Sequence, residues 1–588
     1  MNKYLKSRLN YLLLFAIVFI GIFTRFYKLD WGDGFFFHPD EYHIIGAVGK
    51  LINEGLFANP KLFSYGSFTV YLIYAVRSIL IHIFNVPDPN LFIIGRSLAA
   101  FFSTLTLVNI YLISKRVFPK NVLFPLYTTL IAVFVPGLVQ QAHYLTPESF
   151  MTFWITLSAY FLIKYSEKLR LSDITLTALC VGVAGGTKVS SFAVLPFVLT
   201  IVFFLNIKKS GIFKNLQRVI LFLIIIFVFF FATFPYAILD HENFKGTTRY
   251  ESSLSMGDIK VFYTRSFENT LPFIFQLTKI YPYTLGVVLM VFSIIGSGIA
   301  ILKISIWGLG KFYFVLNKLR LKWSEFRHIK ILAVRTSSIY RNYKNIYILI
   351  ILVGYFLSYF IFNSLLYTKW TRFIHPTIPF LIILSFFGIY ELVGRIKDST
   401  IKNQFGTIFS YAVIVPTIVT GVMFFSIYIR PDVRTTATEW VNNNIAVNSI
   451  LLTETGNTLE VPLIGSYTKI PFDFYNLDTN PELFYKFVND IQKSDYFIIQ
   501  SRRIYKNHKL PEFPIVYNFY DALFSGNLGF EEIKSFSSFP QLKLGKIVYA
   551  VNDENSEETW TVFDHPVIKI YRKIKPYPNN YYVELLRR

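Results

Sequence analysis

The chain has 588 residues, of which 53% are hydrophobic and 19% aromatic, and its formal net charge is +22. Apolar stretches of about 18 residues or more recur over the first 430 positions, which is typical of a polytopic helical membrane protein. In such a protein an excess of lysine and arginine marks cytoplasmic loops, so the charge does not indicate nucleic-acid binding. The single cysteine, Cys180, excludes an internal disulfide and a cysteine cluster for a metal.

The first apolar run follows a basic N-terminus without a small-residue cleavage site, which predicts a retained anchor rather than a signal peptide. Twelve apolar segments are candidate helices: 9–27, 68–84, 91–113, 122–141, 148–164, 174–187, 190–206, 219–236, 281–302, 345–363, 372–394 and 406–429.

Positive charges decide how many of these segments cross the membrane. Six basic clusters, at 3–8, 115–120, 164–170, 208–218, 303–344 and 395–402, are expected on the cytoplasmic side. Twelve spans would separate the N-terminal cluster from the other five, whereas eleven spans place all six together. Segment 68–84 is the best one to omit, because it is short and carries Arg77 and His82. The sequence therefore predicts eleven spanning helices, a cytoplasmic N-terminus and an external loop over 28–90 that contains juxtamembrane helices.

This topology gathers unusual polar residues on the external face. Asp40 and Glu41 lie in the first external loop, in HPDEYH, and Glu148 begins a helix in LTPESF. Glu148 also fits a purely structural role, because an acid after Thr146 and Pro147 stabilises a helix N-terminus. The local sequence favours this role and a functional role equally. A solvated turn is likewise the alternative for the Asp40–Glu41 pair.

Basic residues are predicted on the same face, namely Lys188, Arg249, Lys369 and Arg372. Each alone is typical of a membrane interface, where lysine and arginine side chains reach toward water. Together with the acids they indicate an external pocket for a ligand with an anionic head and an apolar tail, such as a lipid phosphate.

The chain resembles the GT-C membrane glycosyltransferases, specifically the glycosyltransferase family 39 group of protein O-mannosyltransferases and the related aminoarabinose transferases. The stretches that carry the resemblance are FHPDEYH, NPKLFSYGSFTVYL, GRSLAAFFSTLTLVNIYLISKRVF, QQAHYLTPESFMTFW, GGTKVSSFAVLP, FPYAILDHENF with TTRYESS, KWTRFIHPTIPFL, DVRTTATEWVNNNI and WTVFDHPVIKIYRK. HPDE alone has low specificity, but the set in this order covers nearly the whole chain.

The resemblance implies a GT-C fold and an external active site that uses a polyprenyl-phosphate sugar donor. It makes Asp40 the catalytic base and Glu41 its neighbour, with Glu148 standing where the family usually has Asp. Lys188, Lys369 and Arg372 match basic positions of the family, and with Arg249 and Tyr65 they are the candidates for binding the lipid phosphate.

The expected reaction moves a mannose-like sugar, or another hexose or pentose, to an acceptor hydroxyl of a protein, lipid or glycan. The phosphate is already a leaving group, so the demands are a base for the acceptor and cations for the departing anion. Direct displacement would invert the anomeric centre. Some GT-C enzymes use a divalent cation, and His38, His43 and His143 are the candidate ligands beside Glu41, although lone histidines are more often structural.

Residues 430–588 are predicted to form an extracytoplasmic α/β domain after a transmembrane domain at 1–429. Helices are predicted in TTATEWVNNNI and PELFYKFVNDIQ, and strands in SILLTE, DYFIIQS, FEEIKSF and IVYAVN. No nucleotide-binding motif occurs there, so support or acceptor docking is its expected role.

Two other classes of function remain open from the residues alone. A transporter or lipid flippase would place ionisable residues in the middle of spanning helices, and Arg96 is the main candidate. A catalytically silent scaffold is the third reading, against which the Asp40–Glu41 pair argues.

Overall fold

The computed structural model describes residues 3–205, 207–318, 346–455 and 460–588. All of its described strands come after residue 449, and the part before them is helical. The helices up to that point are α1 Lys3–Phe26, α2 Pro39–Glu54, α3 Phe68–His82, α4 Leu91–Val117, α5 Leu123–Phe134, α6 Pro136–Ala142, α7 Pro147–Lys168, α8 Leu171–Thr187, α9 Leu195–Phe204, α10 Ile207–Thr233, α11 Tyr236–Leu239, α12 His241–Met256, α13 Tyr281–Thr284, α14 Val287–Lys318, α15 Ile346–Leu365, α16 Ile378–Gly394, α17 Ser399–Ile429 and α18 Val433–Asn444.

Short 3-10 segments at Val189–Val194, Phe262–Phe267 and Thr371–Thr377, and a π-helical turn at Gln276–Ile280, complete this part. Each of the twelve apolar segments predicted from the sequence overlaps a helix. Most of the basic cluster at 303–344 lies outside the described residues, which end at Lys318 and resume at Ile346.

Seven described helices are long and apolar enough to cross a membrane, and the bent pair α5–α6 makes up to eight. The seven stretches are Arg8–Phe26, Leu91–Val117, Gly211–Thr233, Val287–Gly310, Ile346–Leu365, Thr371–Gly394 and Ser399–Ile429. Helices α3 and α8 and the segment Val189–Phe204 are apolar but shorter. A polytopic helical membrane fold is therefore confirmed, while the count of eleven spans and the sidedness stay predictions.

The end of α1 and the start of α4 lie together. Arg96, in the second turn of α4, donates hydrogen bonds to the carbonyls of Leu29 at 2.8 Å and Trp31 at 3.3 Å, just beyond α1. The chain between them, with α2 and the 15-residue α3, therefore leaves and returns at one end of the bundle. This geometry supports leaving 68–84 out of the spanning helices.

Helix α1 is joined to the bundle by hydrogen bonds from Arg25 to a helix bend at Pro136. Pro136 has no N–H, so the carbonyl of Ala132 lacks its usual helical partner, and α5 and α6 meet at a bend of 57°. Arg25, fully buried at the end of α1, donates to the carbonyls of Ala132 at 2.9 Å and Val133 at 3.0 Å. Because lipid offers no hydrogen bonds, this pairing satisfies both the arginine and the broken helix.

The C-terminal part contains a five-stranded sheet in the order β2-β1-β3-β7-β4. Strands β1 and β2 and strands β1 and β3 are parallel, whereas β7 is antiparallel to both β3 and β4. Its elements are β1 Ile450–Glu454, β2 Thr468–Phe472, α19 Pro481–Lys493, β3 Tyr496–Ile499, α20 Arg503–Asn507, α21 Pro514–Phe524, β4 Phe530–Phe536, β5 Gln541–Leu544, β6 Ile547–Ala550, β7 Ile568–Lys573 and α22 Asn579–Leu586.

The predicted α/β character of this part is confirmed, and all four predicted strands are present. The strand predicted at IVYAVN is β6, which pairs with β5 in a separate exposed hairpin rather than joining the sheet. Strands β2, β5 and β7 were not predicted.

The C-terminal part packs directly on the helical bundle. Trp560, Val562 and Phe563 form one apolar cluster with Trp31 and Phe424. At the start of α18, the buried Arg434 donates to the carbonyls of Val562 at 2.8 Å and Phe563 at 3.0 Å. The two parts thus share a core, and the boundary at 429/430 stays a prediction.

Candidate active site

The first turn of α2 holds the acidic pair. Pro39 occupies the first helical position, where its missing N–H costs nothing, and the acids follow near the positive end of the helix dipole. Successive residues on a helix point about 100° apart, so Asp40 and Glu41 face different neighbours. Asp40 forms an ion pair with Arg372 across 332 residues of sequence.

Asp40 is a charged and partly accessible carboxylate. Its side chain and that of Arg372 are each 18% exposed. Burial raises the pKa of Asp40, but the charges of Arg372, His38 and Lys188 and a hydrogen bond from Tyr65 outweigh burial and hold that pKa well below its usual range. Asp40 is therefore ionised at neutral pH and free to accept a proton only when a cation moves away from it.

Both carboxylate oxygens of Glu41 accept hydrogen bonds from a different arginine, Arg96. Arg96 donates from Nε to Oε1 at 2.9 Å and from Nη2 to Oε2 at 2.7 Å, and both side chains are fully buried. Oε1 also accepts the backbone N–H of Leu145 at 2.8 Å, and the arginine lies over the Trp31 ring at 4.5 Å. This arrangement joins α2, α4 and the chain after α6, and it engages both oxygens of the Glu41 carboxylate.

A second ion pair lies beside the first. Lys188 Nζ contacts Glu148 Oε1 at 2.7 Å, and Glu148 is fully buried at the start of α7. Glu148 Oε2 has no hydrogen-bond partner among the described residues. Since an unpartnered buried carboxylate oxygen is costly, this atom is available to a ligand hydroxyl or a water.

Close backbone packing brings Tyr65 and Lys188 to this place. The N–H of Gly66 donates to the carbonyl of Thr187 at 3.0 Å, and a Cβ on Gly66 would stand 1.8 Å from the Gly186 carbonyl oxygen. Only glycine allows this contact. Lys188 Nζ then lies 5.4 Å from the centre of the Tyr65 ring, within cation–π range.

Arg372 is positioned from two directions. Its guanidinium lies 5.3 Å from the Trp370 ring, and the turn that begins at Thr371 is held by Glu557 of the C-terminal part. Glu557 Oε2 accepts both the backbone N–H and the hydroxyl of Thr371 at 2.8 Å. The C-terminal part thus acts on the site through the backbone that carries Arg372.

Two more charged residues near the pocket, Glu251 and Arg503, were not predicted from the sequence. Burial raises the pKa of Glu251 on α12, and the charges of Arg372, Lys188 and Asp40 act on the same carboxyl. Arg503 on α20 forms an ion pair with Glu558 at 2.9 Å, and the negative charge of Asp40 also raises the pKa of Arg503. Glu251 lies in the stretch TTRYESS that carries the family resemblance, whereas no local pattern marks Arg503.

Two of the predicted cations, Arg249 and Lys369, form no ion pair with Asp40 or Glu148. Arg249 is exposed on α12, and none of the described carboxylates pairs with it. Lys369 donates to the carbonyl of Tyr367 at 3.0 Å, and burial lowers its pKa. Their predicted role in binding a lipid phosphate has no support from these positions.

The candidate histidines are not brought together. His43 is exposed, His143 has its two ring nitrogens at 2.8 Å and 3.0 Å from the carbonyl oxygens of Val139 and Tyr27, and His38 packs between Tyr144 and Phe563. Within the described residues no group of three or more His, Cys, Asp or Glu side chains is arranged to hold a metal ion. These residues do not fit a divalent-cation site.

Comparison with known families gives one match. Residues 79–239 match the family described as dolichyl-phosphate-mannose-protein mannosyltransferase. This stretch includes Arg96, Glu148 and Lys188 of the site, and it supports a membrane glycosyltransferase. No curated protein matches the chain.

Several solved structures resemble the fold at low identity. The apo oligosaccharyltransferase of Archaeoglobus fulgidus is 12% identical, with a TM-score of 0.49 over 88% of this chain and 73% of its own. ArnT from Cupriavidus metallidurans is 11% identical in its complex with undecaprenyl phosphate, with a TM-score of 0.44 over 95% of this chain and 97% of its own. The family match over residues 79–239 agrees with the GT-C resemblance recognised from the sequence.

Proposed function

We propose that the protein transfers a sugar from a polyprenyl-phosphate donor to an acceptor hydroxyl at the end of the bundle where α2 lies. The observation that carries the proposal is the Asp40–Arg372 ion pair beside the Glu148–Lys188 pair. Two carboxylates and two cations in one partly exposed pocket match the needs of this reaction, which are a base and a binding site for a phosphate. The family matched over 79–239 is named for a lipid-phosphate sugar donor, which supports the same donor class here.

The neighbouring Asp40–Arg372 and Glu148–Lys188 pairs suggest how the base is released. A donor phosphate between Arg372 and Lys188 competes with Asp40 for the guanidinium, because phosphate accepts two parallel hydrogen bonds from arginine. Asp40 then loses the cation that lowers its pKa most and becomes a better base. Donor binding thus prepares the carboxylate for the acceptor.

The transfer step follows from these positions. The acceptor oxygen attacks the anomeric carbon while its proton passes to Asp40, and the bond from that carbon to the phosphate oxygen breaks. The leaving phosphate is stabilised by Arg372 and Lys188. Displacement from the opposite face inverts the anomeric centre, and Glu148 Oε2 holds a hydroxyl of the sugar or acceptor.

We assign Glu41 a positioning role. Its carboxylate fixes α2 to Arg96 and to the N–H of Leu145, and so sets where Asp40 stands. The same pairing counts against a transporter, since Arg96, the main candidate for that function, is fully paired and buried.

The remaining elements of the proposal concern the membrane setting. We place the pocket and residues 430–588 on the extracytoplasmic side of the cell membrane, and the six basic clusters on the cytoplasmic side. The acceptor is a protein, lipid or glycan hydroxyl, and the sugar is mannose-like or another hexose or pentose.

The test uses the full chain in nanodiscs with dolichyl- or undecaprenyl-phosphate-linked mannose and, in parallel, a pentose on the same carriers. Asp40→Asn should lower transfer by about 10²–10⁴-fold, since positioned bases contribute that much. Asp30→Asn, an exposed acid in the same loop, is the matched control and should transfer normally. Near-normal transfer by Asp40→Asn would reject the base, and no reaction of the wild type with any donor would reject the transferase.

A further inference from the structure

A large cleft lies at the end of the bundle opposite to Asp40. Helix α4 starts near Arg96 and runs for 27 residues, about 40 Å, to Val117, and α16 leads from the Arg372 turn to Gly394. The cleft has a volume of about 1080 Å³ and is lined by residues just beyond these ends, including Lys120 and Arg395.

The cleft has walls of two kinds. Leu123, Tyr127, Leu352 and Phe387 give it an apolar side between α5, α15 and α16. Three cations line the same cleft: Lys120 follows the end of α4, Arg395 follows the end of α16, and Lys402 lies in the first turn of α17. An apolar groove with cations at its mouth has the two-part chemistry of a phospholipid, whose chains are apolar and whose phosphate is anionic.

The described carboxylates at this end are already engaged. Glu391 lines the cleft but pairs with Lys303, Asp398 caps α17 by accepting the N–H groups of Thr400 and Ile401, and the acids of α7 and α8 pair with cations. Those last pairs are Glu167 with Arg116 at 2.6 Å and Asp173 with Lys164 at 2.9 Å.

None of the described carboxylates forms an ion pair with Lys120, Arg395 or Lys402. Lys120 and Arg395 are exposed and Lys402 is partly exposed, so all three can reach a headgroup.

We propose that this cleft binds an anionic diacyl phospholipid, with its phosphate held by Lys120, Arg395 and Lys402 and its chains along the apolar wall. The cleft volume is just above the usual range for small-ligand sites and accommodates a headgroup with the first part of its chains. The site is separate from the Asp40 pocket, and its function does not depend on sugar transfer.

The experiment measures lipid binding to the purified full chain. Native mass spectrometry follows titration with short-chain phosphatidylglycerol, with phosphatidylcholine of the same chain length, and with inorganic phosphate alone. Wild-type protein should bind phosphatidylglycerol in preference to phosphatidylcholine. The triple variant Lys120→Gln, Arg395→Gln, Lys402→Gln should lose roughly 100-fold in affinity for phosphatidylglycerol, because each cation near an anionic headgroup is worth about fivefold.

A matched triple variant removes the same charge at the same end outside the cleft. Lys115→Gln, Lys168→Gln, Lys397→Gln replaces three exposed lysines and should stay within about threefold of wild type, since screening by salt weakens distant charges. Equal loss in both triple variants, or no loss in the cleft variant, overturns the proposal. Inorganic phosphate binding as tightly as phosphatidylglycerol overturns the assignment to a lipid. Thermal unfolding of each variant confirms that it is folded.

Discussion

Asp40 and Glu41 are adjacent in the sequence, yet they pair with two different arginines, Arg372 and Arg96. The first pair is partly exposed, and the second is fully buried. The acidic dipeptide thus separates two tasks, one in the reacting pocket and one in the packing of α2. This division leads to opposite expectations for substitutions only one residue apart.

Glu41→Gln should act on stability. Removing one partner of a buried ion pair leaves an uncompensated charge, here Arg96, and costs about 3–5 kcal/mol. The free energy of unfolding in detergent should fall by this amount, and transfer should fall with the folded fraction. Glu167→Gln breaks the half-exposed pair with Arg116 and should cost less than about 1 kcal/mol. A Glu41→Gln protein of normal stability without transfer would place Glu41 in the chemistry instead.

Arg372→Gln should make transfer sensitive to acid. Burial raises the pKa of Asp40 and Arg372 is the strongest influence that lowers it, so this variant has an Asp40 of higher pKa. Wild-type Asp40 stays ionised between about pH 5 and 8, whereas the variant loses the ionised base as the pH falls. The ratio of variant to wild-type kcat/KM for the donor, which reports the enzyme before the donor displaces Asp40 from Arg372, should therefore drop toward low pH. Arg249→Gln is the control, and a flat ratio for Arg372→Gln would contradict the assignment.

Substitutions of Glu148 should rank by charge and length. Glu148→Gln removes the charge that pairs with Lys188 at 2.7 Å and should lower transfer about 10–100-fold, the size of a charge-assisted hydrogen bond. Glu148→Asp keeps the charge but is shorter by one methylene, so its loss should be smaller. Transfer rates and the KM for the donor measure both effects. The assigned role is wrong if Glu148→Gln transfers as fast as Glu148→Asp.

Glu557 offers a test of how the C-terminal part supports the pocket. Glu557→Ala removes the acceptor of the Thr371 N–H and hydroxyl and should raise the KM for the donor, because the Arg372 turn is no longer held. Glu557→Gln retains a carbonyl oxygen at this place and should restore most of the affinity. If both variants raise the KM equally, charge rather than positioning is the contribution of Glu557.

The sequence predicted the helices well, because each long apolar segment carries its own signal in length and composition. It also identified Asp40, Glu148, Lys188 and Arg372, which the structure brings together. The resemblance made Asp40 the base and Glu41 its neighbour, but the sequence did not predict which arginine each acid pairs with, since that choice depends on packing between α2, α4 and the turn before α16. Arg503 and Glu557 were missed for the same reason, because nothing near them in sequence indicates which surface they reach.

Arg25 and its acceptors set an order for the insertion of the chain into the membrane. The carbonyls that the arginine binds lie 107 and 108 residues later, and the serine that accepts its Nε hydrogen, Ser103, lies 78 residues later. The first helix is therefore made long before its distant partners exist. Until α5 has been synthesised, the charged side chain of Arg25 on α1 lacks these two carbonyl partners and faces lipid. Helix α1 therefore reaches its final position late in biogenesis.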